Sequence, residues 1–136
     1  MNTPHIDHIG IIVSDLERAA AKLRPLFGEN SAIKELPEAG LRVAEFRAAN
    51  VVIELLQYAD GNAQFARRVM GERPGLNHIS ARVENVERAI ADLTAAGFRA
   101  MEGFPRQGAH GRVAFFEPDG VTGLLFEVCQ PDLKEE

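Results

Sequence analysis

The feature that most constrains this chain is an internal repeat. Residues 6–24 align without gaps on residues 76–94, and eight of the 19 positions are identical. Unrelated stretches of average composition would share roughly one or two positions. The match continues at the same offset from residues 42–44 to residues 112–114. Self-similarity over most of a chain predicts two fused copies of one supersecondary module.

Each copy closes with an apolar segment that carries one acid. Residues 51–57 (VVIELLQ) match residues 124–130 (LLFEVCQ), with Glu54 on Glu127, at an offset three residues larger than before. Apolar runs of this length predict buried strands. A carboxylate inside such a strand is costly unless a partner compensates its charge. Because the acid is repeated at equivalent places, we interpret the shared partner as a metal ion.

The pattern of each copy predicts a strand, a helix and three further strands, which is an α+β fold. We expect one domain over residues 1–136, in which the two βαβββ modules form a curved mixed sheet with a metal-binding cup. Module one covers about 5–58, the linker about 59–74 and module two about 75–130. The predicted strands are 6–13, 32–36, 41–48, 51–57, 76–83, 98–103, 112–117 and 124–129. Three helices are predicted. The first begins at a capping box over 14–17 and ends at Gly28, the second covers 63–70, and the third runs from Asn85 to Gly97.

Histidines at the start of each module complete a candidate metal site. His8 and His78 occupy equivalent positions, and with Glu54 and Glu127 they make a set of two imidazoles and two carboxylates. This donor set suits a divalent Co, Mn, Ni, Zn or Fe ion, and it leaves two octahedral positions for substrate oxygens. A single histidine in an apolar strand is more often structural, but the duplication favours the metal site.

Composition excludes several other classes of function. A net charge of −5 argues against nucleic acid as a partner. No run of residues is long and apolar enough to predict a membrane span. The single cysteine, Cys129, allows no intrachain disulfide, so we expect a cytoplasmic protein with a buried thiol at this position. His5 lacks a repeated histidine and is expected at the surface.

Three further positions have open roles. His110 lies in the loop Gly108-Ala109-His110-Gly111, whose glycines permit close approach to a ligand or form a plain turn. Arg42 and Arg112 are equivalent in the repeat, which allows either a structural role or the binding of a phosphate or carboxylate.

At this point the sequence resembles the vicinal oxygen chelate (glyoxalase/bleomycin resistance) superfamily and, within it, the methylmalonyl-CoA epimerases. The similar segments are residues 6–11, 36–43, 53–56, 77–79 and 108–111. The resemblance implies a homodimer that binds a small-molecule thioester and inverts its α-carbon through a metal-stabilised enolate. Glu127 would transfer a proton as well as bind the metal, and Arg42, Gly108, His110 and Arg112 are the candidate substrate contacts.

Two departures from the epimerase pattern keep alternatives open. Val43 stands where some epimerases have a glutamate. Glu45 is two residues further on and lies on the same strand face, which makes it the substitute catalytic candidate. Alternatively, Glu45 is a solvated surface charge. Residues 117–120 read Glu-Pro-Asp-Gly where epimerases usually have His-Pro-Lys-Ser, and this is similar to the glyoxalase I branch. The alternatives are therefore a lactoylglutathione lyase of the glyoxalase I type and a non-catalytic small-molecule binding protein. The sequence leaves the native metal and the acyl group open.

Overall fold

The structure, a computed structural model, describes residues 3–59, 63–118 and 120–133. These residues form strands and helices in the order strand, helix, three strands, twice, with a short helix between the two sets. This order confirms the α+β class and the duplicated βαβββ module. The elements are β1 (His5–Ile12), α1 (Leu16–Phe27), β2 (Lys34–Leu36), β3 (Leu41–Arg47), β4 (Val52–Tyr58), α2 (Gln64–Met70), β5 (Gly75–Arg82), α3 (Val86–Ala95), β6 (Arg106–Gln107), β7 (Gly111–Phe116) and β8 (Leu125–Pro131).

The chain divides into two compact units. The N-terminal unit spans His8–Asn77, and the C-terminal unit combines the residues up to Asp7 with those from His78 onward. The N-terminal unit has the strand order β2-β3-β4-β1, and the C-terminal unit has the order β5-β8-β7-β6. In both units the last strand pairs parallel to the first and antiparallel to the strand before it, so each set is mixed. The prediction of a single domain stays a prediction.

Each unit packs one strand face on its long helix. Leu16 and Ala20 of α1 pack on a cluster from β3 and β4, and Val86 of α3 packs on a cluster from β7 and β8. We call the opposite strand face of each unit its far face. Because side chains alternate along a strand, the residues between these core positions lie on the far face. The core members on the sheet are Ala44, Phe46 and Leu55 in the first unit and Ala114, Phe116 and Val128 in the second.

The two long helices begin with the same hydrogen bonds. The side chains of Asp15 and Asn85 accept backbone N–H groups three residues on, at 3.1 Å and 2.8 Å. The amide oxygens of Gln57 and Gln130 accept the first helical N–H of α1 and α3, at 2.8 Å and 2.9 Å. The capping-box prediction, which placed the cap of α1 at Ser14, is therefore wrong by one residue. The repeated glutamine at the end of the last strand has a structural role that the sequence did not indicate.

One predicted strand is wrong. Over residues 98–103 the structure has only an isolated bridge between Ala100 and Phe116, and the strand that pairs with β7 is β6. Phe98 packs edge-on against Phe116 here, with ring centroids 5.7 Å apart, but its side chain stays exposed. By contrast, the expected burial of Cys129 and exposure of His5 are confirmed. None of the helices in the described ranges combines the length and apolarity that a membrane crossing needs.

Candidate metal and catalytic site

The N-terminal unit brings His8 and Glu54 together on its far face. Gly10 pairs with Glu54 between the parallel strands β1 and β4, and His8 is two residues before Gly10 on the same face. His8 is 3% exposed and Glu54 is 5% exposed. The distance from His8 Nε2 to Glu54 Oε1 is 3.7 Å. An imidazole and a carboxylate are thus buried side by side, with a glycine beside them that occupies little volume.

Glu45 lies directly opposite Glu54 in the antiparallel pairing of β3 and β4. Cross-strand partners share a face, so Glu45 is also on the far face, where it is only 2% exposed. Its Oε1 is 3.1 Å from Arg47 Nη2, and its backbone N–H donates to Ser31 Oγ at 3.0 Å. The alternative of a solvated surface charge is therefore wrong. Like charges directly opposite each other are destabilising, so this carboxylate pair favours a bound cation.

The C-terminal unit repeats the arrangement with His78 and Glu127. Both are buried, and Glu127 pairs with Ser80, which follows His78 by two residues on the same face of β5. The His78 ring packs edge-on against Phe115 with centroids 4.9 Å apart. Phe115 lies opposite Glu127 in the pairing of β7 and β8. It thus occupies the position that Glu45 has in the N-terminal unit.

The donor chemistry fits a divalent metal ion. His8, Glu54, His78, Glu127 and His110 are all buried and belong to groups of histidine and glutamate ligand atoms that can hold such an ion. Imidazole nitrogen and carboxylate oxygen are ligands for Mn, Fe, Co, Ni and Zn. These buried groups are consistent with the predicted divalent metal site. The identity of the metal and the exact set of ligands stay predictions.

Arg42 and Arg112 lie on the helix side of their units, not on the far face. Arg42 is hydrogen-bonded to Glu17, Glu35 and Gln57, and Arg112 Nη2 is 2.7 Å from Glu87 Oε2. The hydrogen bond with Glu17 raises the pKa of Arg42 and lowers the pKa of Glu17. The two arginines thus make equivalent ion pairs between strand and helix, which is the structural role that the sequence left open. Their role in substrate binding stays a prediction.

The loop around His110 is a tight turn. The Gly108 N–H donates to the Gly111 carbonyl at 2.7 Å, and the His110 carbonyl accepts the Asp132 N–H at 2.9 Å. A Cβ on Gly111 would lie 2.0 Å from the Gln130 carbonyl oxygen. Glycine is therefore required at 111 by the neighbouring strand β8. The His110 side chain is buried at 7% exposure, and its contact with a substrate, like that of Gly108, stays a prediction.

Sequence reasoning missed two arginines on the far faces. Arg47 follows Glu45 by two residues, and Arg82 follows His78 by four, so strand alternation places each on the same face as the buried acid or histidine. Arg82 Nη2 is 3.2 Å from Asp7 Oδ1, and both arginine side chains are more than half exposed, at 57% and 54%. Residue parity in the sequence indicates that Arg47 shares a face with Glu45 and that Arg82 shares a face with His78, and the structure shows that this is the face away from the helix.

Comparison with known proteins agrees with this geometry. Residues 7–116 match the family model of the Glyoxalase/Bleomycin resistance protein/Dioxygenase superfamily, and the chain belongs to this superfamily. It is 35% identical to an ethylmalonyl-CoA/methylmalonyl-CoA epimerase of Cereibacter sphaeroides, over 92% of this chain and 96% of the relative. It is 32% identical to the mitochondrial methylmalonyl-CoA epimerase of Homo sapiens, over 95% of this chain and 75% of the relative.

A solved structure is similar over nearly the same extent of the chain. A variant of the Streptomyces coelicolor methylmalonyl-CoA epimerase in complex with 2-nitronate-propionyl-CoA superposes with a TM-score of 0.76 at 26% identity, and the match covers 93% of this chain and 94% of that one. The predicted resemblance to the superfamily and to its epimerases is thereby confirmed. The similarity points to an isomerase and leaves the substrate to be established.

Proposed function

We propose that this protein is a metal-dependent epimerase that inverts the α-carbon of a methylmalonyl-CoA-like thioester. The observation that carries the proposal is the burial of a histidine and a glutamate on the far face of each unit, at equivalent strand positions. Burying two such pairs is costly unless they bind a cation. The two relatives compared above are epimerases of this substrate class by name.

In this proposal His8, Glu54, His78 and Glu127 hold the metal ion. A bound divalent ion supplies Lewis-acid polarisation of a carbonyl oxygen, which makes the neighbouring C–H group more acidic. The protein contributes a buried environment in which that polarisation is strong. Phe115 contributes to it on the far face of the C-terminal unit, where its ring packs against His78.

Inversion needs one group that removes the α-proton and another that returns a proton to the opposite side of the carbon. We assign Glu127 to one role and Glu45 to the other. When the ionised carboxylate takes the proton, the C–H electron pair moves onto the thioester carbonyl. The second group, which starts protonated, then donates its proton to carbon as that pair returns. Val43 and Glu45 share a face of β3, so Glu45 supplies a carboxylate from the strand that carries one in some epimerases.

Arg47 and Arg82 are the proposed contacts for the free carboxylate or the phosphates of the substrate. Each has a guanidinium that is more than half exposed and is held by a buried carboxylate, from Glu45 and Asp7. Such an arrangement keeps the side chain oriented while its other donors face solvent. Homodimerisation and a cytoplasmic location remain part of the proposal.

Deuterium exchange tests the proposal. Cobalt-loaded protein is mixed with methylmalonyl-CoA in heavy water, and α-deuteration and stereoinversion are followed by mass and by a chiral coupled assay. We expect inversion to fall about 10²- to 10⁴-fold in Glu127→Gln and Glu45→Gln. Glu102→Gln, which changes an exposed acid, is the matched control. If Glu45→Gln stops inversion but keeps exchange, the two carboxylates act on opposite sides of the carbon.

A negative result has a defined meaning. Protein that binds cobalt and shows no exchange with methylmalonyl-CoA would overturn the epimerase assignment. Turnover of the glutathione adduct of a 2-oxoaldehyde would then identify the glyoxalase-type lyase. The segment that suggests this lyase is residues 117–120, and its Asp119 lies outside the described residues. Tight binding without turnover would identify a small-molecule binding protein.

A further inference from the structure

Ser80 has a buried hydroxyl that the structure does not use. The residue is in β5 and is completely buried, at 0% exposure. Its Oγ makes no hydrogen bond to any residue in the described ranges. By register it lies beside Glu127, and by strand alternation it shares the far face of the C-terminal unit with His78. A polar atom without a partner is therefore placed among the residues assigned to the site.

The repeat shows that the fold does not require this hydroxyl. The position equivalent to Ser80 is Gly10, which pairs with Glu54 in the same way that Ser80 pairs with Glu127. An unsatisfied hydroxyl in a buried position is destabilising relative to an apolar side chain of similar size. Alanine would fill the space without that penalty. A serine at this one copy of the position therefore points to a ligand that accepts its hydrogen bond.

We propose that the Ser80 hydroxyl donates a hydrogen bond to an oxygen of the bound acyl group, either the thioester carbonyl or the free carboxylate. This inference rests on the proposed function and adds a substrate contact to it. A donor fixed in a buried strand costs no reorganisation when the α-proton leaves and negative charge develops on the neighbouring carbonyl oxygen. The contact orients the acyl group and stabilises that charge, and no bond to Ser80 is formed or broken.

The test compares Ser80→Ala with Ser80→Cys, a nearly isosteric variant with a weaker donor, and with Ser14→Ala, which changes an exposed serine outside the site. Four quantities are measured for each protein: the thermal unfolding of the metal-free form, the affinity for cobalt, the rate of deuterium exchange and inversion with methylmalonyl-CoA, and the binding of methylmalonyl-CoA. Binding of methylmalonyl-CoA is followed by calorimetry. We expect Ser80→Ala to unfold at the same or a higher temperature and to bind cobalt unchanged, while its exchange rate falls roughly tenfold.

Each outcome decides between explanations. The substrate contact is supported if Ser80→Ala exchanges more slowly at unchanged stability and the exchange rate of Ser80→Cys lies between those of Ser80→Ala and the wild type. A Ser80→Ala variant as fast as the wild type overturns the inference and leaves the epimerase assignment intact. Loss of stability together with activity shows a structural role and also overturns it. If the wild type neither exchanges nor binds methylmalonyl-CoA, the proposed function fails and the Ser80 contact fails with it.

Discussion

The N-terminal and C-terminal units agree where a helix meets its strands and differ on the far face. Both have a side-chain cap on the helix, a glutamine that accepts the first helical N–H, and an arginine–glutamate ion pair between strand and helix. On the far face both keep a histidine and a glutamate. The positions around these pairs differ: Gly10, Leu41 and Glu45 in the first unit correspond to Ser80, Gly111 and Phe115 in the second.

This comparison separates two kinds of repeated residue. The contacts shared on the helix side fix the position of the helix on the sheet, and the same local geometry requires the same groups in both copies. The residues that differ on the far face surround the two histidine–glutamate pairs. One pair has a second carboxylate opposite it, and the other has an aromatic ring and a hydroxyl. The two copies thus have one scaffold and chemically different surroundings for their histidine–glutamate pairs.

The largest effect is expected from removal of the shared histidines. His8→Asn and His78→Asn should each lower the affinity for cobalt by more than about 100-fold, because each removes a proposed metal ligand and not merely an outer contact. Equilibrium dialysis followed by metal analysis measures this. His5→Asn, an exposed histidine on the same strand as His8, is the matched control and should bind normally. Full affinity in either buried variant would remove that histidine from the ligand set.

A large loss of stability is expected at a position where the two copies differ in shape. Gly111→Ala should lower the free energy of unfolding by about 3 kcal/mol, because the new Cβ would overlap the Gln130 carbonyl oxygen, 2.0 Å away, and neither strand can move freely. The equivalent Leu41 carries a buried side chain, so the first copy has room that the second lacks. Urea unfolding of the metal-free protein gives the value. A variant as stable as the wild type would show that the turn at 108–111 can relax.

A moderate and equal effect is expected in the two copies from their glutamines. Gln57→Ala and Gln130→Ala should each destabilise the protein by about 1 kcal/mol, the usual cost of losing a side-chain partner at a helix N-terminus. The bonds they remove are nearly the same length, 2.8 Å and 2.9 Å. Chemical denaturation compares the two variants directly. Unequal losses would mean that one glutamine has a role beyond the helix start. We would then expect the larger loss at Gln57, because it also accepts a hydrogen bond from Arg42.

The smallest effect is expected from the ion pair of Glu17 with Arg42. The hydrogen bond from Arg42 lowers the pKa of Glu17 below its ordinary value of 4.5. The stability that this pair contributes is therefore present above pH 4.5 and is lost as the pH falls through the lower pKa of the folded state. Glu17→Gln should remove this dependence and change stability little at neutral pH, because the carboxylate is exposed and salt screens the pair. The free energy of unfolding, measured against pH at low and high salt, tests this prediction. A large loss of stability in Glu17→Gln at neutral pH would contradict it.

Most of the elements that the sequence predicted are present in the structure. The order of strands and helices, the Asn85 cap, the short helix α2 and the burial of His8, Glu54, His78 and Glu127 follow from pattern and agree with the structure. The prediction failed over residues 98–103, where the chain makes an isolated bridge from Ala100 to Phe116 and a ring contact from the exposed Phe98 in place of a paired strand. It also placed the cap of α1 one residue early, because Ser14 and Asp15 are both good caps and only the backbone geometry selects between them.

The sequence by itself determined the duplicated module, the family and the four candidate ligands, because these depend on residue type and on spacing within a strand or helix. Only the tertiary structure decided which arginines face the helices, since the packed face of a strand depends on what the helix covers. It also decided that Glu45 is buried opposite Glu54, that Gly111 must be a glycine beside Gln130, and that the Ser80 hydroxyl is buried without a protein partner in the described chain. Each of these facts depends on a neighbouring strand that arrives from elsewhere in the sequence, and local pattern contains no record of that neighbour.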